Sequence, residues 1–271
     1  MRSLFAIVLL AVTPALLAAT SAEVTGDHLS VALLSEQDAL VPGHAAWFGL
    51  RLRHDAHWHT YWMNPGDSGL PTKLAWQLPE GFQSGAITWP VPKRFTLGEL
   101  YNFGYDGEAL LPVRIDVPAN AAPGSSAHLA VQAKWLVCRE ECIPGKADLT
   151  LDLPVRAAGA PDSQVAALFA HARESVPKAG AWKGNAQLIG DHIEVRVRGA
   201  NLGSGEGLDA YAENTKVVAN APPRVERRGD GVVLTFAKSD YFTSIPKSLD
   251  LVLQPRNAPA LRAQAFFPAG P

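Results

Sequence analysis

The only two cysteines in the chain offer its most distinctive chemistry. Cys138 and Cys142 are separated by three polar residues, 139–141. An even count with no leftover thiol suggests that the two pair with each other in an oxidising compartment. On a continuous strand they would lie about 13 Å apart, whereas a disulfide needs Cα atoms within about 7 Å. The chain must therefore turn between them.

The flanking residues favour a tight hairpin at this turn. Val137-Cys138 and Cys142-Ile143 would form its two arms, and Pro144 would end the second arm. A bond that closes a five-residue loop is a poor staple, worth about 2 kcal/mol in the chain-entropy estimate. A short, polar, turn-borne disulfide is accessible to an attacking thiolate, so the spacing favours a redox-active pair. A local structural disulfide and a metal-binding pair remain the alternatives.

Histidines provide a second chemistry in the first quarter of the chain. His57 and His59 stand two residues apart, and on a strand this spacing places both imidazoles on one face. Imidazole together with thiolate or thioether ligands suits copper. The competing hypothesis is therefore a periplasmic copper-binding module that uses His57, His59 and the cysteines. The Cys-x3-Cys spacing itself matches no recognised zinc or cytochrome pattern.

The overall composition excludes several function classes. The 271 residues include 24 Lys plus Arg and 26 Asp plus Glu, a formal net charge of -2, and 47% of them are hydrophobic. This composition is globular, and it argues against a disordered chain and against a nucleic-acid binder with a basic surface. No nucleic-acid partner and no organic cofactor are implied.

The N-terminus has the features of an export signal. Arg2 supplies the positive charge, residues 4–17 form a short apolar core, and Thr20-Ser21-Ala22 offers small residues for cleavage after Ala22. The apolar core is shorter than the ~20 residues that a membrane-spanning helix needs. We therefore predict a signal peptide at residues 1–22 and an exported protein.

Two β-rich halves follow the leader. Runs that alternate apolar with polar residues, separated by Pro- and Gly-containing stretches, are typical of antiparallel sandwiches. In the first half the predicted strands are 29–34, 45–53, 110–117, 127–137 and 146–155. In the second half they are 186–197, 225–236 and 249–254, with a turn at 228–231.

A single helix is predicted between the halves. Apolar residues recur at helical spacing from Ser163 to Val176, Asp162 can cap the free N-terminal amides, and Pro177 ends the pattern. We interpret this helix as a connector. The predicted architecture is all-β, with β-sandwich domains at 23–158 and 181–271 joined by a short helical linker at 159–180.

Four segments of the first half resemble a known family. They are 57–71 (HWHTYWMNPGDSGLP), 102–108 (NFGYDGE), 111–113 (LPV) and 135–144 (WLVCREECIP). Together they resemble the periplasmic N-terminal region of DsbD-type thiol:disulfide interchange proteins, in particular the branch called suppressor of copper sensitivity B (ScsB). The likeness is specific between about Ala45 and Val155. It implies two immunoglobulin-like domains, in agreement with the two β-rich halves.

The resemblance also implies an electron relay. In the family, a membrane-embedded reductase domain and a thioredoxin-like domain donate electrons to a cysteine pair, which then reduces disulfides of periplasmic thioredoxin-fold proteins. Cys138 and Cys142 would be that pair, and Cys142 would be the attacking thiolate. The implied activity is that of a protein-disulfide reductase acting as a relay module.

A shielding loop is the last feature that the resemblance implies. Residues 101–107 would match the family's cap loop, so that Phe103 or Tyr105 would shield the cysteine pair. Tyr61 and Trp62 would approach the pair from a neighbouring strand. The chain departs from well-known members of the family, which have a longer segment between the cysteines and acidic residues before the cap aromatic.

Overall fold

The structure is almost entirely β. A computed structural model describes residues 19–198 and 207–268, and within these ranges one helix, α1 (Ala166–Ser175), accompanies eighteen strands. In chain order the strands are β1 (Val24–Gly26), β2 (Leu29–Ser35), β3 (Ala45–His54), β4 (His59–Gly66), β5 (Lys73–Gln77), β6 (Gln83–Ile87), β7 (Lys93–Leu97), β8 (Leu100–Asp106), β9 (Glu108–Asp116), β10 (Ser126–Cys138), β11 (Cys142–Pro154), β12 (Lys178–Ile189), β13 (His192–Arg198), β14 (Asp209–Ala212), β15 (Arg224–Arg228), β16 (Gly231–Ala237), β17 (Ser248–Gln254) and β18 (Leu261–Phe266).

Strands β1 to β11 form two sheets that we call the N-terminal sandwich. One sheet has the order β1-β2-β3-β9-β6, and the other has the order β11-β10-β4-β8-β7, with β5 also paired to β10. Alternate residues of both sheets enter one buried core, which includes Phe48, Trp62 and Phe103. This is the β-sandwich that the alternating pattern predicted, and its immunoglobulin-like fold is the one that the resemblance implied.

The remaining strands form the C-terminal sheet, a seven-stranded sheet with the order β14-β17-β18-β12-β13-β16-β15. A separate hydrophobic core lies on it, with Leu234, Leu249 and Leu251 fully buried. Gly229 adopts a positive φ of 61° in the predicted turn, which joins β15 to β16. The sequence pattern missed β14 and β18, and it merged β12 with β13.

Helix α1 packs on the outside of the N-terminal sandwich. Its buried residues Phe169 and Ala172 contact Leu34 of β2 and Leu110 of β9. The helix begins three residues later than predicted, because the Asp162 side chain accepts the N–H of residue 164 in a preceding turn. The helix therefore covers one face of the sandwich as well as connecting the two halves.

The two halves contact each other through β4, β7 and β8 of the N-terminal sandwich. The Arg94 guanidinium forms hydrogen bonds of 2.5 and 2.6 Å to the Asp209 carboxylate and lies over the rings of Phe103 and Tyr211. The Asn64 side-chain amide donates to the Ala212 carbonyl at 2.8 Å. The contact thus has an ionic and aromatic centre.

The first described residues lie along β2. The backbone N–H of Ser35 donates to the Ala19 carbonyl, and that of Ser21 donates to the Leu33 carbonyl. Residues 19–21, which precede the predicted cleavage point, therefore pair with the edge of the sheet beside β2. Residues 1–18 of the predicted signal peptide lie outside the described residues, and both the cleavage after Ala22 and the linker at 159–180 stay predictions. In the described part of the chain, no helix has the length and hydrophobicity that crossing a membrane requires.

Candidate functional site

The two cysteines form a disulfide at the end of the long β10–β11 hairpin. These strands pair antiparallel over thirteen residue pairs, and Cys138 opposite Cys142 is the last pair before the turn. Their Cα atoms lie 4.2 Å apart. In the turn, the N–H of Arg139 donates to the Glu141 carbonyl at 3.0 Å. The predicted hairpin and the predicted pairing are both confirmed.

The prediction that Pro144 ends the second arm is wrong. Strand β11 runs through Pro144, which pairs with Leu136, and continues to Pro154. A proline removes one backbone donor, and this is tolerated on an edge strand because its outer side makes no ladder hydrogen bonds. Strand β11 is such an edge, at one end of its sheet. The hairpin is therefore longer and more regular than the sequence indicated.

The two sulfur-bearing residues differ in exposure. Cys138 lies between Cys142 on one side and His59 of β4 on the other, and it is 1% exposed. Cys142 lies on the outer edge strand and is exposed. An incoming sulfur atom would therefore reach Cys142 first, whereas Cys138 is accessible only from within the pair.

Tyr61 contacts the exposed sulfur. Its Oη lies 3.6 Å from Cys142 Sγ, and since a disulfide sulfur carries no hydrogen, the tyrosine hydroxyl is the donor. Burial raises the pKa of Tyr61, which keeps the hydroxyl protonated. Gly69 has a φ of 94°, and a Cβ there would lie 2.2 Å from the Tyr61 ring. The glycine leaves the space that the ring occupies, so the predicted approach of Tyr61 to the pair is what the structure shows.

His59 flanks the buried cysteine. Its ring stacks on Phe95 of β7, with centroids 4.4 Å apart, and meets the Tyr61 ring edge-on at 5.2 Å. Burial, followed by the nearby His54, lowers the pKa of His59 to about 4, so the imidazole is neutral at pH 7. Its Nε2 is buried without a hydrogen-bond partner. The cysteine pair thus sits beside an uncharged aromatic cluster.

Comparison with known proteins agrees with this geometry. Residues 30–154 match the family model described as thiol:disulfide interchange protein DsbD, N-terminal. The matched range contains Cys138, Cys142, His59 and Tyr61. All of the matched residues lie in the N-terminal sandwich, which is similar to this family over that range.

Solved structures extend the likeness beyond the residues that match the family model. The crystal structure of the N-terminal periplasmic domain of ScsB from Proteus mirabilis matches with a TM-score of 0.72 and 17% identity, covering 93% of this chain and 100% of that one. Domains 5-6 of the S-layer protein SbsC match with a TM-score of only 0.24 and 9% identity, covering 92% and 100%, which supports no conclusion. Among curated proteins, none matches the chain significantly. The match to the ScsB domain shows that the two proteins share a fold over both halves of this chain.

The residues predicted to shield the cysteine pair lie on the opposite face of the sheet that carries it. Because side chains alternate along a strand, the register that places Cys138 beside His59 and Tyr61 beside Gly104 directs Phe103 and Tyr105 to the opposite face. Both are in the buried core, and the hydroxyl of Tyr105 donates to the Pro90 carbonyl at 2.8 Å. Neither residue can therefore shield the cysteine pair as predicted.

Trp62 also points away from the cysteines. It is 1% exposed, and its ring meets Phe103 and Tyr211 edge-on at 6.3 Å. Trp62 follows Tyr61 on β4, so the alternation that directs Tyr61 to the disulfide directs Trp62 to the core. The predicted approach of Trp62 to the pair is wrong for this reason.

Phe95 is the aromatic residue that sequence reasoning missed. It lies on the first arm of the β7–β8 hairpin, whereas the resemblance directed attention to the second arm. Gly98 has a φ of 60° in the two-residue turn between Leu97 and Leu100, and a glycine at such a turn is the signal that could have revealed the hairpin. Pairing the two arms of this hairpin would then have placed Phe95 on the same face of the sheet as His59.

The residues of the copper hypothesis do not share a strand face. His59 begins β4, but His57 precedes the strand in a turn, is exposed and has a φ of 73°. In residues 19–198 and 207–268, no group of three or more His, Cys, Asp or Glu side chains is arranged to hold a metal ion. The assumption behind the hypothesis, that both imidazoles face the same way from one strand, is therefore wrong.

Proposed function

We propose that this chain is a periplasmic thiol:disulfide interchange module whose Cys138/Cys142 pair alternates between disulfide and dithiol and reduces the disulfides of partner proteins. The observation that carries the proposal is the asymmetric exposure of the pair. One sulfur lies at the surface on an edge strand, and the other lies buried directly behind it.

The disulfide contributes little to the stability of the fold. Its loop is worth about 2 kcal/mol in the chain-entropy estimate, and the twelve other residue pairs of the β10–β11 ladder already align the two strands. A bond that is exposed on one side and dispensable for the ladder is suited to exchange. This favours the redox role over the structural alternative.

The exchange proceeds in two balanced steps. The Cys142 thiolate attacks one sulfur of the partner disulfide; a mixed disulfide forms, and the partner's second sulfur leaves as a thiolate that takes up a proton. The Cys138 thiolate then attacks Cys142 Sγ, which closes the internal disulfide and releases the first partner sulfur as a thiol. Two electrons and two protons pass to the partner. The same two steps in reverse, with an electron donor, return the Cys138–Cys142 disulfide to the dithiol form.

Tyr61 supports the thiolate of Cys142. Its hydroxyl already donates toward Cys142 Sγ in the disulfide form. When the bond opens, the same donor faces a charged sulfur, and hydrogen bonds to charged groups are about twice as strong as neutral ones. The hydroxyl therefore stabilises the dithiol form in its reactive, ionised state.

The partners follow from the family. Its members are thiol:disulfide interchange proteins, which supports partners that themselves carry exchangeable disulfides. We propose that a membrane-embedded reductase domain and a thioredoxin-like domain donate the electrons, and that periplasmic thioredoxin-fold proteins accept them. The periplasmic domain of ScsB shares the fold, which supports the proposed location.

Trapping tests the proposal with two matched variants. Cys138→Ser retains the exposed thiol but cannot resolve a mixed disulfide, so it should accumulate a covalent adduct with a thionitrobenzoate-capped cysteine peptide. Cys142→Ser retains only the buried thiol and should accumulate much less. If neither variant forms an adduct while both stay folded, the exchange mechanism is wrong. Equal adduct yields would contradict the assignment of Cys142 as the attacking residue.

A further inference from the structure

An apolar groove with a lysine rim lies beside the disulfide on the same face of the sheet. Strand alternation places Leu136 and its partner Pro144 next to the cysteine pair, and Lys134 and its partner Lys146 beyond them. Leu70, which is 62% exposed, completes the apolar wall. The groove encloses about 480 Å³.

The lysines form a row across three strands. Lys134 of β10 stands between Lys146 of β11 and Lys73 of β5, each directly opposite in the register. Like charges directly opposite one another destabilise a sheet. None of the three takes part in an ion pair within the described residues, and the next carboxylate along β11, Asp148, accepts a hydrogen bond from Gln132 at 2.9 Å.

Among the described residues, none supplies an anion to the row, and the position of the row suggests that a partner supplies one. Each step of two residues along a strand covers about 7 Å, so Leu136/Pro144 lie about 7 Å from the disulfide and the lysine row about 14 Å from it. A partner whose cysteine reaches Cys142 can lay the neighbouring part of its chain across this face, where the apolar groove and the lysine row lie.

We infer that the groove binds the segment next to the reactive cysteine of the partner protein, in extended form, with an apolar residue two positions from that cysteine and a carboxylate four positions from it. This inference rests on the proposed exchange function and names the class of partner. The apolar contact gives affinity, and the carboxylate neutralises the lysine row, which selects among partners by charge.

Synthetic peptides test the inference. Each carries one cysteine capped with thionitrobenzoate and a leucine two positions away, and the residue four positions away is Asp, Asn or Lys. The reduced protein converts each peptide to a free thiol, with release of thionitrobenzoate and formation of the Cys138–Cys142 disulfide, and the released thiolate is followed by its absorbance. At low salt, the Asp peptide should react about tenfold faster than the Lys peptide, and added salt should reduce the difference.

Charge reversal provides the matched variants. Lys134→Glu combined with Lys146→Glu should invert the order of the Asp and Lys peptides. Lys247→Glu, at an exposed lysine just before β17, should leave the order unchanged. If the intact protein reduces all three peptides equally fast at low salt, the groove inference is wrong and the exchange function stands. If it reduces none of them, the proposed function itself fails.

Discussion

The two faces of the sheet that carries the cysteines have opposite characters. On the outer face lie the disulfide, Tyr61, His59 and a half-exposed Phe95. On the inner face, Phe103 and its neighbours are buried and meet the C-terminal sheet. The two phenylalanines belong to the two arms of one hairpin, yet one flanks the candidate site and the other holds the two halves together.

This difference shows that strand alternation assigns the roles of neighbouring aromatic residues. Tyr61 and Trp62 are adjacent in sequence, but only the first contacts a cysteine. A substitution on the inner face should therefore change mainly the free energy of unfolding, and one on the outer face should change mainly the reactivity of the cysteine pair. Three predictions test this separation, and a fourth tests how the burial of His59 on the outer face makes stability depend on pH. They are given from the largest expected effect to the smallest.

Replacing Phe103 should have the largest effect on stability. Phe103→Ala leaves a cavity in the buried core and should lower the free energy of unfolding by about 3–5 kcal/mol, measured by urea denaturation. Phe95→Ala, on the half-exposed outer face, should cost less than about 2 kcal/mol and should speed reduction of the disulfide by dithiothreitol. Equal losses of stability in the two variants would contradict the assignment of the faces.

Acid should weaken the fold through His59. Burial lowers its pKa to about 4, whereas the unfolded residue titrates near 6.5, so the unfolded chain binds the proton more readily between these values. The free energy of unfolding should therefore fall as the pH drops from about 6.5 to about 4, by up to about 3 kcal/mol from this residue.

His59→Gln tests this assignment. The variant should lose most of that slope when urea denaturation is compared at pH 7 and pH 4, and a slope equal to that of the unmodified protein would show that His59 is not the group responsible. A smaller slope should remain, because burial also lowers the pKa of His54.

The Arg94–Asp209 pair should contribute measurably to the contact between the halves. The Arg94 side chain is 10% exposed and that of Asp209 is 33% exposed, so Arg94→Met should cost about 1–3 kcal/mol, reduced by solvent screening on the aspartate side. A double-mutant cycle with Asp209→Asn should give a favourable coupling energy.

An exposed ion pair serves as the control for that cycle. Arg114 and Asp116 are 56% and 55% exposed, and Arg114→Met should change stability by less than about 1 kcal/mol. Rates of disulfide reduction should stay the same in all of these variants. A large rate change in Arg94→Met would mean that the inner contact controls the outer face.

Removing one hydroxyl on the outer face should change reactivity more than stability. Tyr61→Phe should lower the free energy of unfolding by no more than about 1 kcal/mol, because it removes a single hydrogen bond. In the reduced protein, alkylation of Cys142 by iodoacetamide should shift to higher pH, since the thiolate loses its donor. Tyr241→Phe, at a tyrosine 72% exposed, is the control and should leave the profile unchanged.

The sequence predicted the parts of the site that depend on local spacing. With only three residues between them, Cys138 and Cys142 can pair only if the chain turns, and the residues that flank them predicted that this turn is a hairpin. The continuation of β11 through Pro144 could not be predicted in the same way, because it depends on which strand lies at the sheet edge. Edge position is a property of the assembled sheet.

The surroundings of the pair depended on register. Phe95 and Phe103 lie on the two arms of one hairpin, and the register in which β7 pairs with β8 places them on opposite faces. His59 was considered as a metal ligand, and its position opposite Cys138 follows from a pairing between residues 79 positions apart. Such long-range pairing is set by the packing of the whole sandwich.

The redox midpoint of the Cys138/Cys142 pair tests the central claim most directly. It can be measured in the intact protein by thiol alkylation across a series of glutathione ratios. A redox-active pair should have a midpoint between roughly -180 and -270 mV, among the known exchange proteins. A midpoint below about -300 mV would place the bond among inert structural disulfides and would contradict the proposed function.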